Sequence, residues 1–211
     1  MAKHLVIQLA RFGDLVQTKR LILSLLNGEG TDGGGTHGAG QGTGHSIASA
    51  PEVYLPEVHL AVDATLAELA RLVYPGVIVH GVRAHGGVPQ EDVLAHNARA
   101  FAALAAEGFD TVYNLNNSGL NMALAALFPP DIVRGYRSLN GQPLRDRWMR
   151  MAFRWVAHRR LSPVNLVDFW AALAPRPIAP ARVNPIALRG GRGIGVVLAG
   201  RMSRRSLPPD A

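Results

Sequence analysis

Residues 3–9 form a compact apolar run built on Leu5, Val6, Ile7 and Leu9, and the chain then turns through Ala10, Arg11 and Phe12 to Gly13 and Asp14. A helical pattern follows over residues 14–26, with Leu15, Val16, Leu21, Ile22, Leu25 and Leu26 on one stripe. A strand that is apolar at successive positions is buried on both faces, and a sheet covered by helices on both sides provides that burial. This strand, turn and helix therefore point to an α/β fold. They place Asp14 at the helix N-cap, just past the carboxyl end of the first strand, where open α/β sheets form ligand crevices.

The same alternation continues. Strands are predicted over residues 57–62, 76–82, 110–115 and 132–136, and helices over 64–73, 91–107, 118–128, 143–160 and 164–173. Ser118 stands at an N-cap position, Gly108 at a helix end, and Pro129 and Pro130 stop the helix before them. The fold class expected is a Rossmann-like parallel sheet with helices on both faces. Residues 28–50 break the pattern with nine glycines and read as a flexible insertion. The expected organisation is one domain over 1–174, a proline-rich linker over 175–193, and the first strand and loop of a second domain over 194–211. A parallel strand at 194–199 needs a neighbour and a crossover, so the chain reads as part of a larger α/β protein.

Composition narrows the function classes. The chain is 48% hydrophobic and 18% charged, which suits a packed core. It contains no cysteine, which excludes disulfides and thiolate metal sites. It lacks the run of ~18 apolar residues that a membrane-spanning helix needs, and its opening apolar run is too short for a secretory signal. The net charge of +7 is unevenly placed: residues 1–133 hold 12 acids against 7 bases, and residues 134–211 hold 15 arginines against 3 acids. Arginine-rich composition fits anionic partners, but it also arises from genomic base composition. Between Arg134 and Arg160 the arginines are interleaved with Trp148, Met151, Ala152, Trp155 and Val156 at helical spacing. Such a helix either lies on an anionic membrane surface or packs its aromatic face on the sheet and leaves its arginines solvated.

Two motifs at the carboxyl edge of the sheet carry chemistry. Asp14 is either a helix cap or a general base for an incoming hydroxyl. Asn116, Asn117 and Ser118 are suited to sugar hydroxyls, or to a turn followed by an N-cap. Gly28, Gly30 and Gly33 spell a dinucleotide fingerprint, but after a helix rather than after a strand, so the physical context is wrong. The eight histidines show no paired metal-ligand spacing, and no metal site is expected from them. Nucleophile-elbow and phosphate-loop patterns are absent. The arginines have no recognised nucleic-acid fold around them, and no nucleic-acid partner is expected.

The segment Leu5 to Leu9, the turn Ala10 to Phe12, Gly13-Asp14 and the helix from Leu15 onward resemble the opening of glycosyltransferase family 9, the ADP-heptose:lipopolysaccharide heptosyltransferases. Later segments resemble the family in the same order. These are Asp110 to Ser118 with Asn121 to Leu127, then Arg134-Gly135-Tyr136, then Asn165-Leu166-Val167-Asp168. Gly200, Ser203, Arg204, Arg205, Leu207 and Pro208 follow. The resemblance implies the N-terminal, acceptor-side half of a GT-B enzyme. It implies that Asp14 is the catalytic base of an inverting displacement. Arg11, Gly13, Asn116, Asn117 and Ser118 would line the acceptor, and Ser203 and Arg205 would contact donor phosphate. The implied donor is a nucleotide sugar such as ADP-heptose, and the acceptor a lipopolysaccharide core or related glycolipid. No metal or other cofactor is required. The implied location is the cytoplasm, peripherally at the inner face of the membrane. With little of a donor domain present, these 211 residues alone are expected not to transfer sugar. The non-enzymatic alternative is a module that binds an anionic glycan or membrane surface.

Overall fold

The computed structural model describes residues 2–27, 55–84, 92–158, 160 and 165–183. Six strands form one sheet in the order β3-β2-β1-β4-β5-β6. They are β1 (Lys3–Gln8), β2 (Glu57–Asp63), β3 (Ile78–Val82), β4 (Thr111–Asn114), β5 (Val133–Leu139) and β6 (Gln142–Arg145). The first five are parallel and β6 is antiparallel to β5. This order is Rossmann-like, winding outward in both directions from β1. The helices are α1 (Phe12–Gln17), α2 (Lys19–Leu26), α3 (Ala67–Val73), α4 (Val93–Ala106), α5 (Gly119–Ala125), α6 (Arg147–Ala157) and α7 (Leu166–Ala171).

Strand periodicity divides the core into two layers. On one face Val6, Val58, Leu60, Val62 and Tyr113 pack under Leu15, Leu21, Ile22, Leu25, Met149 and Phe169 from α1, α2, α6 and α7. On the other, Leu5, Ile7, Ala61, Val112 and Val133 pack under Phe101, Leu104, Leu124 and Ala125 from α4 and α5. Burial of apolar surface on both faces is the main stabilising term.

Three elements differ from the sequence expectation. The helix predicted over 14–26 begins at Phe12 and divides at Thr18 into α1 and α2. The Leu15 carbonyl accepts from the Thr18 hydroxyl at 2.6 Å, from the Thr18 backbone N–H and from the Tyr74 hydroxyl, which diverts it from the regular ladder. The helix predicted over 143–160 begins only at Arg147. Its first residues form β6, joined to β5 by Asn140 and Gly141 at φ of +51° and +75°. An Asn-Gly pair with positive φ at both positions closes a two-residue hairpin whose twist matches its strands. Finally, the two tryptophans of α6 share a face, their rings edge-on at a centroid distance of 6.0 Å, but only part of that face is packed. Trp148 donates its indole N–H to the Phe169 carbonyl at 3.0 Å, and Met149 and Ala152 are fully buried, whereas Met151 and Trp155 are exposed. The strand expected at 194–199 and the insertion at 28–50 lie outside the described residues, as does the side chain of Val156.

Past α7 the chain folds back on α2. Arg20 pairs with Asp168 and donates to the Ile178 carbonyl at 2.7 Å, while the Ile178 N–H donates to the Ser24 hydroxyl at 3.0 Å. No helix among the described residues is long and apolar enough to cross a membrane.

Candidate functional site

The strand order reverses between β1 and β4, and the connections leaving those strands separate there to opposite faces of the sheet. A parallel α/β sheet opens a crevice at this point, beyond the carboxyl ends of the strands. The turn of Ala10 to Asp14 leaves β1 at this edge, and Leu115 to Ser118 leaves β4 beside it, with the Leu115 N–H donating to the Ile7 carbonyl at 3.2 Å.

Asp14 lies in the first turn of α1, three residues past the N-cap, which is Arg11. Its expected N-cap place is therefore corrected. Its Oδ2 accepts from the Arg11 N–H at 3.2 Å, a reach back to the residue that starts the helix. The side chain is half-buried, and Arg11, Phe12 and Gly13 around it are exposed. An added Cβ at Gly13 would meet nothing within 4 Å, so a bound molecule can approach the backbone there. A carboxylate held at a crevice mouth can accept a proton from a bound hydroxyl.

The Asn116 to Ser118 loop is built by a chain of amides. Buried Asn114 donates to the Tyr136 carbonyl at 3.0 Å and accepts from the Asn121 side chain at 3.2 Å. Ser118 caps α5, accepting from the Asn121 N–H at 3.4 Å, and its hydroxyl donates to Asn121 Oδ1 at 2.8 Å. Asn116 accepts from the Ser118 N–H at 3.2 Å. Capping and loop closure thus occupy Ser118 and one oxygen of Asn116, and Asn117 is exposed.

Asn117 also lines a pocket of about 450 Å³ with Tyr136, Pro143, Leu144, Arg145 and Arg150. Next to Tyr136 in the chain, the Gly135 N–H donates to Asp146 Oδ2 at 2.8 Å. The other Asp146 oxygen caps α6 through the Met149 N–H at 2.8 Å. The Arg145 guanidinium carbon lies 5.4 Å from the Tyr136 ring centre and 5.2 Å from that of Phe153. Such cation–π contacts hold the cation in place without neutralising it. Burial pushes the Tyr136 phenol above its usual range, against the pull of Arg145, so it stays neutral beside the two guanidinium groups. Two arginines, an amide and an aromatic wall can seat a phosphate or carboxylate together with sugar hydroxyls.

Arg134 and Arg137, from the same arginine-rich stretch, are engaged elsewhere. They donate to the carbonyls of Asp131 and Pro130, each at 3.0 Å. Arg145 and Arg150 were not singled out from the sequence as site residues. The Asn140-Gly141 pair was the signal that could have placed Arg145 on a hairpin beside the crevice. Ser203 and Arg205 lie outside the described residues.

Comparison of the chain with family models, with curated proteins and with solved structures finds no match.

Proposed function

We propose that the chain is the acceptor-side domain of a glycosyltransferase of the heptosyltransferase type, with a GT-B arrangement. The observation that supports this reading is that Asp14, the Asn116 to Ser118 loop and an arginine-lined pocket all lie toward the carboxyl edge of the sheet. In this reading Asp14 removes the proton of an acceptor hydroxyl. The oxygen attacks the anomeric carbon of a nucleotide sugar, the bond to the diphosphate breaks, and the configuration inverts. Asn117 orients acceptor hydroxyls, and Arg145 and Arg150 hold an anionic group of the acceptor. Ser203 and Arg205 are assigned to donor phosphate through the motif resemblance. The donor proposed is ADP-heptose, the acceptor a lipopolysaccharide core or related glycolipid, and the setting the cytoplasmic face of the membrane.

The test is heptose transfer by the chain joined to a donor-binding second domain. Asp14→Asn is expected to lower transfer by roughly a hundredfold to ten-thousandfold, the range of general-base catalysis, with an unchanged circular dichroism spectrum. Undiminished transfer would remove Asp14 from the mechanism. Calorimetry with a phosphorylated core oligosaccharide separates binding from chemistry. Replacing Arg145 and Arg150 together by alanine weakens binding by about tenfold or more, and Asp14→Asn leaves it intact.

A second reading rests on α6, which exposes Arg147, Arg150 and Arg154 together with Met151 and Trp155. Cations with an adjacent exposed aromatic suit an anionic headgroup layer. Salt-dependent binding to anionic vesicles, without transfer in the two-domain protein, would favour a purely binding role.

A further inference from the structure

The amino-terminal edge of the sheet, opposite the crevice, gathers a second group of polar side chains. Glu57 opens β2, and His59 follows two residues later on the same face. β1 contributes Lys3, β3 contributes His80, and Glu107 caps the end of α4. His59 is 2% exposed, with its ring set edge-on to Phe109 and stacked on His80, at centroid distances of 4.9 and 5.0 Å. Its Nδ1 lies 2.8 Å from His80 Nε2, and its Nε2 lies 2.7 Å from Glu57 Oε1. One donor atom each from Glu57, His59 and Glu107 lie within 4.8 Å of one another. The Lys3 ammonium sits between the carboxylates, 3.1 Å from Glu57 and 2.9 Å from Glu107.

A ring nitrogen and a carboxylate oxygen 2.7 Å apart need a proton or a cation between them. The two facing ring nitrogens of His59 and His80 share one proton. When His59 Nδ1 carries it, Nε2 turns a lone pair toward the carboxylates. That is the tautomer of a metal-bound histidine, whose outer nitrogen donates to a neighbouring acceptor, here His80. One imidazole and two carboxylates make a nitrogen and oxygen donor set suited to zinc-type ions. His59 is fixed by burial, whereas the side chains of Lys3, Glu57 and Glu107 are partly exposed.

We propose that Glu57, His59 and Glu107 form a site for a divalent transition metal of the zinc type, with His80 orienting His59 and Lys3 acting as a competing cation. The site is independent of the proposed sugar transfer. It would tie β2 to the end of α4, with β3 joined through His80.

Cobalt(II) titration of the full chain, followed by its visible absorption and by competition with Zn²⁺, provides the test. One Co²⁺ binds per chain and Zn²⁺ displaces it. His59→Asn and Glu107→Gln each weaken binding at least tenfold, and His80→Phe weakens it by roughly tenfold. Lys3→Met strengthens it by about tenfold, because the cation that pairs with both carboxylates is removed. Glu107 is exposed at a helix end, so its change to glutamine keeps the fold, which circular dichroism checks. The absence of a metal-dependent spectrum in both the wild type and Lys3→Met would overturn the proposal. So would a spectrum undiminished in His59→Asn and Glu107→Gln, since the ion would then sit at other histidines.

Discussion

At Gly135 the β5 backbone passes so close to β4 that an added Cβ would lie 2.3 Å from the Asn114 carbonyl oxygen. The residue also holds φ at +89°, which side chains rarely adopt. Neither the carbonyl nor the neighbouring strand can yield, since Asn114 is fully buried and its side chain anchors the amide chain beneath the crevice. Gly135→Ala is therefore expected to cost about 3 kcal/mol or more, read as a lowered urea midpoint. Asp14 is the opposite case, half-buried with an exposed glycine beside it. Its change to asparagine is expected to leave stability within about 1 kcal/mol, since only a first-turn contact weakens. A large loss of stability in Asp14→Asn would mark it as a structural cap.

Helix α6 depends on Asp146, which caps the Met149 N–H and also accepts from the Gly135 N–H. Asp146→Ala removes both acceptors and is expected to cost about 2–3 kcal/mol in equilibrium denaturation. It should also weaken anion binding, because α6 carries Arg150 and starts beside Arg145. An unchanged denaturation midpoint would show that water replaces the cap. Elements whose signal is local were legible from the sequence. β1 announces itself by successive apolar residues, and α5 by Ser118 before it and a proline pair after it. The division at Thr18 was not legible, because the Tyr74 hydroxyl that helps cause it lies 56 residues away in sequence. The hairpin before α6 was overlooked although Asn140-Gly141 marks it, since the arginines and apolar residues that follow mimic helical spacing. The crevice edge was readable at Asp14 and at Asn116 to Ser118, where strands end in polar turns. Tyr136, Arg145 and Arg150 join Asn117 only through folding. The same holds for Glu57, His59 and Glu107: histidine spacing along the chain carries no sign of a cluster drawn from separate elements.

Across the whole molecule the sheet is polarised. Arg145 and Arg150 stand near the carboxyl ends of its strands, while Glu57, Glu107, Asp110 and the histidines 4, 59 and 80 gather toward the other edge with Lys3 among them. Burial holds His4 below its usual range, against the opposing pull of Asp110, and burial and His59 do the same to His80. The unfolded chain takes up these protons near pH ~6.5 and the folded chain resists, so stability present above that pH is lost as pH falls below it. The urea midpoint is expected to drop between pH 7 and pH 5, and His4→Leu to show a shallower drop. Equal slopes would remove His4 from the account. The clamp on the Leu15 carbonyl by Thr18 and Tyr74, both buried, acts at this scale too. It anchors the short segment bearing Asp14 to the helix after β2, just where the backbone breaks from α2. A displacement arriving along α2 is spent at that joint, and the carboxylate keeps its aim.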